Sequence, residues 1–234
     1  DAVVYLEVFG SADEGRARFE RLSAGVEGAL SNGVRLGISP HAPYTTTLDL
    51  YRASAELELP IATHLSESED ELDYVRSGEG PWSGIAEMLV PPLGTTGIRA
   101  LADEGLLGPS VLAAHCVKVD EEEIELLARH DVAVAHCPRS NAVLGCGVAP
   151  LVALREAGIR ICIATDSPAS TPSFDMFDEM RAALYAARAR EQRPDALSAA
   201  DALELATLGG ARALGVAGGR GSLVPGKRAD LTVL

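Results

Sequence analysis

Ala62-Thr63-His64-Leu65-Ser66-Glu67 is a stretch in which a short apolar run, residues 59–62, ends abruptly in a histidine. If that run is a buried strand, His64 emerges where the strand stops, and Glu67 lies on the first turn after it. This placement suits a metal ligand with a proton carrier beside it. A single His-x-x-Glu pattern is more often a pair of surface residues than a site, so its weight depends on recurrence elsewhere in the chain.

The same arrangement of an apolar strand followed by a polar residue recurs along the chain. The residues at or just past the carboxyl ends of the predicted strands are His41, His64, His115, His136 and Asp166. In a parallel α/β barrel the carboxyl ends of all strands point to one face, which is where active sites lie. One topology therefore brings these residues and Glu67 together, whereas a purely structural explanation needs a separate reason for each polar strand end.

Predicted strands and helices alternate six times over the 234 residues, a length that suits one large α/β domain. Such alternation predicts a mostly parallel sheet covered by helices. The predicted strands are continuously apolar, which indicates that both of their faces are buried. Residues 78–97 interrupt the pattern with a Gly- and Pro-rich excursion around Trp82, the only tryptophan. This excursion is either a lid or pocket wall, or merely an insertion.

The composition excludes several classes of partner. The formal net charge is −14 and no cluster of Lys or Arg opposes it, so nucleic acid and an anionic membrane surface would be repelled. No apolar run approaches the roughly 20 residues needed to span a bilayer, and the first residues show no signal segment. The four cysteines form no Cys-x-x-Cys pair, which predicts buried, reduced thiols in a cytoplasmic protein.

Histidine and aspartate at the strand ends point to metal-assisted hydrolysis. Together they are ligands for a borderline-soft divalent ion such as zinc or ferrous iron. A water bound to such an ion loses its proton near neutral pH and can attack an electrophilic carbon. Catalysis by a Ser/His/Asp triad is disfavoured because the sequence has no Gly-x-Ser-x-Gly elbow, and no phosphate-cradling Gly loop is present either.

Six segments of the chain carry a resemblance to a known superfamily. They are Ser39-Pro40-His41-Ala42-Pro43-Tyr44, Thr63-His64-Leu65-Ser66-Glu67, Ala113-Ala114-His115-Cys116, Ala135-His136-Cys137-Pro138-Arg139-Ser140-Asn141, Thr165-Asp166-Ser167 and the tail 221–231. In this order they resemble the amidohydrolase superfamily, specifically its branch of cytosine, guanine and adenosine-type deaminases. The segments cover nearly the whole chain, and they are more specific for the superfamily than for the substrate.

The resemblance implies a (β/α)8 TIM-like barrel with one catalytic divalent metal, with zinc as the expected ion and iron as the alternative. It implies that His64, on strand five, and Asp166, on strand eight, are metal ligands. Asp166 would also take the proton from the attacking water. Glu67 would carry that proton to the ring nitrogen beside the attacked carbon, and His115 would hydrogen-bond the water.

The resemblance also implies contacts with the substrate. The implied substrate-binding residues are His41, Glu67, Arg139 and Asn141. His136 stays open, because it either belongs to the site or only orients the loop that carries Arg139 and Asn141. The role of Glu7, at the end of the first predicted strand, is open as well.

One departure from the family pattern concerns the metal. The family's first strand supplies a His-x-His pair, and this sequence contains no His-x-His. By the order of its motifs the chain holds strands three to eight, which predicts a partial catalytic barrel over residues 1–216. Residues 217–234 are then the start of the C-terminal strand of a small composite β domain. We therefore expect a fragment of a longer enzyme that is insoluble or inactive when isolated, because it lacks two ligands and leaves barrel edges unpaired.

Three features resemble the 6-aminodeoxyfutalosine deaminases of menaquinone synthesis: the Pro-Arg-Ser-Asn loop, residues 144–147 and the Trp82 excursion. Arg139 could pair with the carboxylate of that substrate, which adenosine lacks, or it could be a structural or solvent-facing arginine. The predicted function is hydrolytic deamination of a small molecule of the 6-aminopurine nucleoside type. The alternatives are a guanine deaminase, a chloro-triazine-type hydrolase or a catalytically dead binding module. Whether the protein is a homodimer stays open.

Overall fold

The computed structural model of the chain describes residues 2–30 and 33–232, without the side chains of residues 26–29. These residues divide into two compact units, and the division falls between Val132 and Ala133. In each unit parallel strands alternate with helices, which confirms the predicted α/β class. No helix in the described part of the chain combines the length and the apolar character that crossing a membrane requires.

The first unit is built on four parallel strands that pair in chain order. They are β1 (Val3–Val8), β2 (Arg35–Pro40), β3 (Ile61–Leu65) and β4 (Val111–His115). Val3 pairs with Arg35 in the first ladder, and Leu65 pairs with His115 in the third. Val8, Leu65 and Ala113 are completely buried, as the continuously apolar strands predict.

Helices connect these strands and cover them. They are α1 (Ala12–Leu30), α2 (Leu48–Ala55), α3 (Glu69–Ser77), α4 (Gly97–Asp103) and α5 (Glu121–Arg129). Ser68 caps α3 by accepting a hydrogen bond from the backbone N–H of Glu71. The excursion between α3 and α4 contains a 3-10 helix, Pro81–Met88, in which no residue is buried.

The second unit pairs β5 (Ala133–His136) with β6 (Arg160–Ile163) in parallel. Its helices are α6 (Pro138–Val143), α7 (Leu151–Glu156), α8 (Met176–Glu191), α9 (Ala199–Glu204), a π-helical turn (Leu205–Gly209) and α10 (Gly210–Ala213). A Cβ atom on Gly209 would lie 2.5 Å from the carbonyl oxygen of Ile161. The glycine therefore allows the π-helical turn to pack directly on the backbone of β6.

The tail after α10 forms turns and irregular backbone, with no strand among residues 217–232. Lys227 Nζ donates hydrogen bonds to the carbonyl oxygen of Arg220 at 3.0 Å and to Ser222 Oγ at 2.8 Å, which closes this tail on itself. Val233 and Leu234, the end of the segment expected to begin a C-terminal strand, lie outside the described residues. That strand, and the boundary between residues 216 and 217, stay predictions.

Candidate active site

The polar residues singled out in the sequence lie at the carboxyl ends of the observed strands. His41 directly follows β2, His115 and His136 are the last residues of β4 and β5, and Asp166 comes three residues after β6. His64 is the penultimate residue of β3 and thus lies at the carboxyl end of that strand. Its side chain is half-buried.

The backbone is strained at these strand ends. Ser66, His115, Cys116 and Asp166 have φ angles of 52°, 71°, 47° and 61°. Non-glycine residues rarely adopt this left-handed region, and such residues persist only where the surrounding structure holds them. The turns after β3, β4 and β6 therefore keep an unfavourable backbone conformation, and this conformation sets the positions of the side chains that these turns carry.

His64 is oriented by the residue that follows the neighbouring strand. Its Nδ1 lies 2.7 Å from the carbonyl oxygen of His41. A carbonyl oxygen only accepts, so Nδ1 carries the proton and the lone pair of His64 is on Nε2. A hydrogen bond of this kind is the usual support of a metal-binding histidine. The imidazole of His64 also stacks on that of His115, with ring centroids 5.4 Å apart.

Glu7 joins these histidines, which the sequence left open. One donor atom from each of Glu7, His41 and His64 lies within 4.8 Å of the others. Arg18 holds the end of β1 by donating from Nε to the carbonyl oxygen of Glu7 at 2.7 Å, and its guanidinium lies over the ring of Phe9. Two imidazoles and a carboxylate are a donor set found in catalytic zinc centres, so the residues fit a divalent ion of that kind.

The ring of His41 is held in its neutral form. Its Nδ1 lies 2.7 Å from Thr45 Oγ1, and its ring contacts those of Phe9, Tyr44 and His64. Burial, followed by the electrostatic interaction with the neighbouring His64 ring, lowers the pKa of His41 to about 4. At neutral pH, His41 can therefore act as an acceptor or a ligand.

Glu67 and His115 form the second part of the site in the first unit. Oε1 of Glu67 lies 3.5 Å from Nδ1 of His115, whose side chain is 1% exposed, whereas that of Glu67 is 17% exposed. The carboxylate thus reaches solvent while the imidazole is fixed beneath it. A partly exposed carboxylate next to a buried imidazole can exchange protons with a bound molecule.

Asp166 lies in the second unit, where two hydroxyl groups hold its carboxylate. Oδ2 accepts hydrogen bonds from Ser140 Oγ at 2.6 Å and from Ser170 Oγ at 2.8 Å. Neither serine was singled out in the sequence, although Ser140 is part of the Pro-Arg-Ser-Asn motif. Donors that fix a carboxylate in this way set the direction in which it offers its lone pairs.

Arg139 is already engaged within the second unit. Its Nη1 lies 3.5 Å from Oε1 of the fully buried Glu179, and its Nη2 donates to Ser173 Oγ at 3.2 Å. The backbone N–H of Arg139 donates to Oε2 of Glu179 at 3.3 Å, while burial raises the pKa of that carboxyl. Any substrate carboxylate would share this guanidinium with Glu179. Asn141 and His136 are both buried in the same unit.

The excursion of residues 78–97 is attached to the loop that carries His41. The ring of Trp82 meets that of Tyr44 edge-on, with centroids 4.7 Å apart. The backbone N–H of Val90 donates to the carbonyl oxygen of Tyr44 at 3.0 Å. Through these contacts the excursion lies next to His41, and its role as a lid or pocket wall stays a prediction.

A comparison with protein families decides what kind of chain this is. The model of the amidohydrolase family matches residues 4–234. The chain belongs to the amidohydrolase family. The predicted family is thereby confirmed.

Two curated relatives of this amidohydrolase chain are deaminases. It is 37% identical over 211 residues to the 5'-deoxyadenosine deaminase of Methanothermobacter thermautotrophicus, covering 88% of this chain and 46% of that protein. It is 37% identical over 210 residues to the 5-methylthioadenosine/S-adenosylhomocysteine deaminase of Desulforudis audaxviator, with the same coverage. The chain thus spans about half the length of the curated relatives it matches. Their names agree with the deaminase branch predicted from the motifs.

Solved structures agree with this family and with the predicted fold class. An adenosine deaminase from Xanthomonas campestris with bound zinc superimposes with a TM-score of 0.83 at 32% identity, covering 97% of this chain and 51% of that one. The guanine deaminase of E. coli gives a TM-score of 0.77 at 25% identity, covering 97% and 52%. A zinc complex of an atrazine chlorohydrolase from Arthrobacter aurescens gives 0.75 at 26%, covering 91% and 46%.

Proposed function

We propose that the protein containing this chain is a metal-dependent hydrolase that deaminates a 6-aminopurine nucleoside and releases ammonia. The observation that carries the proposal is the row of imidazoles on β3 and β4 with the carboxylate of Glu67 3.5 Å from His115. It combines an oriented ligand with a proton carrier. The relatives named for 5'-deoxyadenosine and 5-methylthioadenosine supply the substrate class.

His64 and Asp166 would hold the metal, for which we propose zinc, with iron as the alternative. When bound, such an ion supplies a Lewis acid that makes water a nucleophile near neutral pH. His64 offers Nε2 because its Nδ1 is committed to the carbonyl oxygen of His41. Asp166 offers a carboxylate that Ser140 and Ser170 keep in one orientation.

The remaining steps are proton transfers by residues of this chain. Asp166 accepts one proton of the attacking water, and His115 hydrogen-bonds that water so that its oxygen faces C6 of the purine. Glu67 carries this same proton to the ring nitrogen beside C6, which makes the carbon electrophilic and returns both carboxylates to their starting state. The second proton of the water moves to the amine, which leaves as ammonia while the carbonyl forms. The sum is nucleoside plus water giving the 6-oxo nucleoside plus ammonia.

The substituent at the 5' position is the part of the substrate that separates the named relatives from one another. The finer proposal, 6-aminodeoxyfutalosine, requires a cation for the carboxylate of that molecule, and Arg139 is the residue that its motif offers. Its guanidinium keeps a side-chain exposure of 13% beside Glu179. We propose a small-molecule substrate in either case, with neither nucleic acid nor membrane as a partner, in the cytoplasm; a homodimer stays open.

Ammonia release from a panel of substrates tests the function. The panel comprises adenosine, 5'-deoxyadenosine, 5'-methylthioadenosine, S-adenosylhomocysteine, 6-aminodeoxyfutalosine and guanine, each offered to the zinc-loaded protein from the complete reading frame. We expect turnover of 6-aminopurine nucleosides and little of guanine, because the deaminases named for adenine nucleosides are 37% identical and the guanine deaminase is 25% identical. Turnover of guanine alone, or chloride release from a chloro-triazine assayed alongside the panel, without ammonia release from any nucleoside, would replace the proposal with the corresponding alternative. No turnover of any of these compounds would favour a binding module.

A further inference from the structure

Glu71 is a buried carboxylate that has no role in the proton transfers proposed above. Its side chain lies on the first turn of α3 and is 1% exposed. Oε1 accepts a hydrogen bond from the backbone N–H of Ser66 at 2.8 Å, and Oε2 accepts one from the backbone N–H of Glu67 at 2.7 Å. One buried carboxylate therefore bridges the two peptide groups that lead into Glu67.

The two peptide groups that Glu71 bridges belong to a turn with a strained backbone. Ser66 has a φ of 52°, a left-handed conformation that is unfavourable for a non-glycine residue. Its carbonyl oxygen accepts hydrogen bonds from the N–H groups of Val117 and Lys118 at 2.9 and 2.8 Å. The turn between β3 and α3 is thus held on one side by the segment after β4 and on the other by Glu71.

A helix cap accounts for only part of the contacts of Glu71. Ser68-Glu69-Asp70-Glu71 matches the capping-box pattern, in which the acid at the third helical position reaches back to the N-cap backbone. Glu123 of α5 does this, accepting from the N–H of Asp120 at 3.1 Å. The shortest hydrogen bonds of Glu71 go further back, to Ser66 and Glu67. Burial raises the pKa of Glu71 to about 7, and the hydrogen bonds from the backbone N–H groups of Glu67 and Ser66 oppose that shift.

We propose that Glu71 is a positioning residue, which fixes the backbone of Glu67 so that the Glu67 carboxylate meets His115 and the substrate. This role rests on the proposed function, in which Glu67 carries the proton. Glu71 itself touches neither substrate nor reacting atoms. Its removal leaves the N–H groups of Ser66 and Glu67 without this acceptor and releases the strained turn, which displaces Glu67 relative to the purine ring.

Glu71→Gln is the direct test, since glutamine has the same shape but brings donors against one of the two N–H groups. We expect kcat to fall about 10- to 100-fold with KM and zinc content unchanged, the range typical of residues that orient a catalytic group. Glu69→Gln is the matched control. It removes one negative charge from the same helical turn, but Glu69 is 62% exposed and lies 3.6 Å from Lys118, so we expect wild-type activity.

Glu71→Asp keeps a carboxylate but is one methylene shorter, so it can serve one N–H group only. We expect the kcat of this variant to fall while the protein stays folded at the assay temperature. If the glutamine variant does not fold, the aspartate variant alone tests whether Glu71 positions Glu67. Wild-type kcat in either folded variant overturns the proposal. So does a loss of activity that follows zinc content or the folded fraction, because Glu71 would then act on stability. A wild-type protein that deaminates no 6-aminopurine nucleoside overturns the function and this role together.

Discussion

Ser140 Oγ lies 2.6 Å from Oδ2 of Asp166, although the two residues are 26 positions apart. Ser140 is completely buried on the first turn of α6, and Asp166 has a left-handed backbone after β6. Ser170 donates to the same carboxylate oxygen at 2.8 Å. The Pro-Arg-Ser-Asn motif thus contacts the proposed metal ligand Asp166 through its serine, whereas its arginine is paired with Glu179.

Ser140→Ala is expected to weaken zinc binding about tenfold and to lower activity at limiting zinc, because Asp166 loses one of the donors that orient it. Competition with a chromophoric zinc chelator measures the dissociation constant. Ser167→Ala is the control, since Ser167 is exposed and its hydroxyl accepts from the backbone N–H of Ala169 at 3.1 Å. Equal zinc affinity in wild type and Ser140→Ala would contradict the assignment of Asp166 as a ligand oriented by Ser140.

Glu67→Gln is expected to lower kcat by a factor of about 10² to 10⁴, because the amide cannot carry the proton to the purine. Zinc content should stay at the wild-type level, since Glu67 is not among the proposed ligands. Ammonia release and zinc analysis on the same preparation check both statements. A variant that retains more than a tenth of the wild-type kcat would assign the proton transfer to another group.

The stability of the zinc-free protein is expected to fall as the pH drops from about 6.5 to about 4. His41 has a folded pKa of about 4, below the value of about 6.5 for an unfolded chain, so the unfolded state binds the extra proton within this window. The stabilising contribution of neutral His41 is complete above the window and is lost below it. Allowing for the partial exposure of the ring, the change is about 1 to 2 kcal/mol.

Urea unfolding across this pH range, after chelation of metal, measures the slope for wild type and for His41→Gln. The variant should show a shallower dependence on pH. His130→Gln is the control, because His130 lies at the C-terminus of α5. This variant loses a histidine but retains His41. An unchanged slope in His41→Gln would assign the pH dependence to other groups.

Arg139→Met is expected to reduce kcat/KM for 6-aminodeoxyfutalosine by at least tenfold more than for 5'-deoxyadenosine, because only the first substrate presents a carboxylate. Losing the ion pair with Glu179 lowers kcat/KM for both substrates alike. The difference between the two losses therefore reports only the contact with the substrate carboxylate. Arg181→Met is the matched control, since Arg181 is 61% exposed and pairs with Asp178 on α8. Equal losses on both substrates would leave Arg139 a structural role only.

The sequence by itself determined the fold class, the family and the positions of His41, His64, His115, His136 and Asp166 at strand ends. It could do so because apolar strands and the polar residues that end them are local patterns, and parallel strands end at one edge.

Only the tertiary structure decided which partners these residues have. Glu7 reaches His41 and His64 across three strands, Ser140 reaches Asp166 across 26 residues, and Arg139 reaches Glu179 across 40. Glu71 is a further example, because its closest contacts are to the backbone N–H groups of Ser66 and Glu67 in the strained turn. Spacing along the chain sets which face a residue occupies. The direction and depth of its side chain depend on packing, which is a property of the folded molecule.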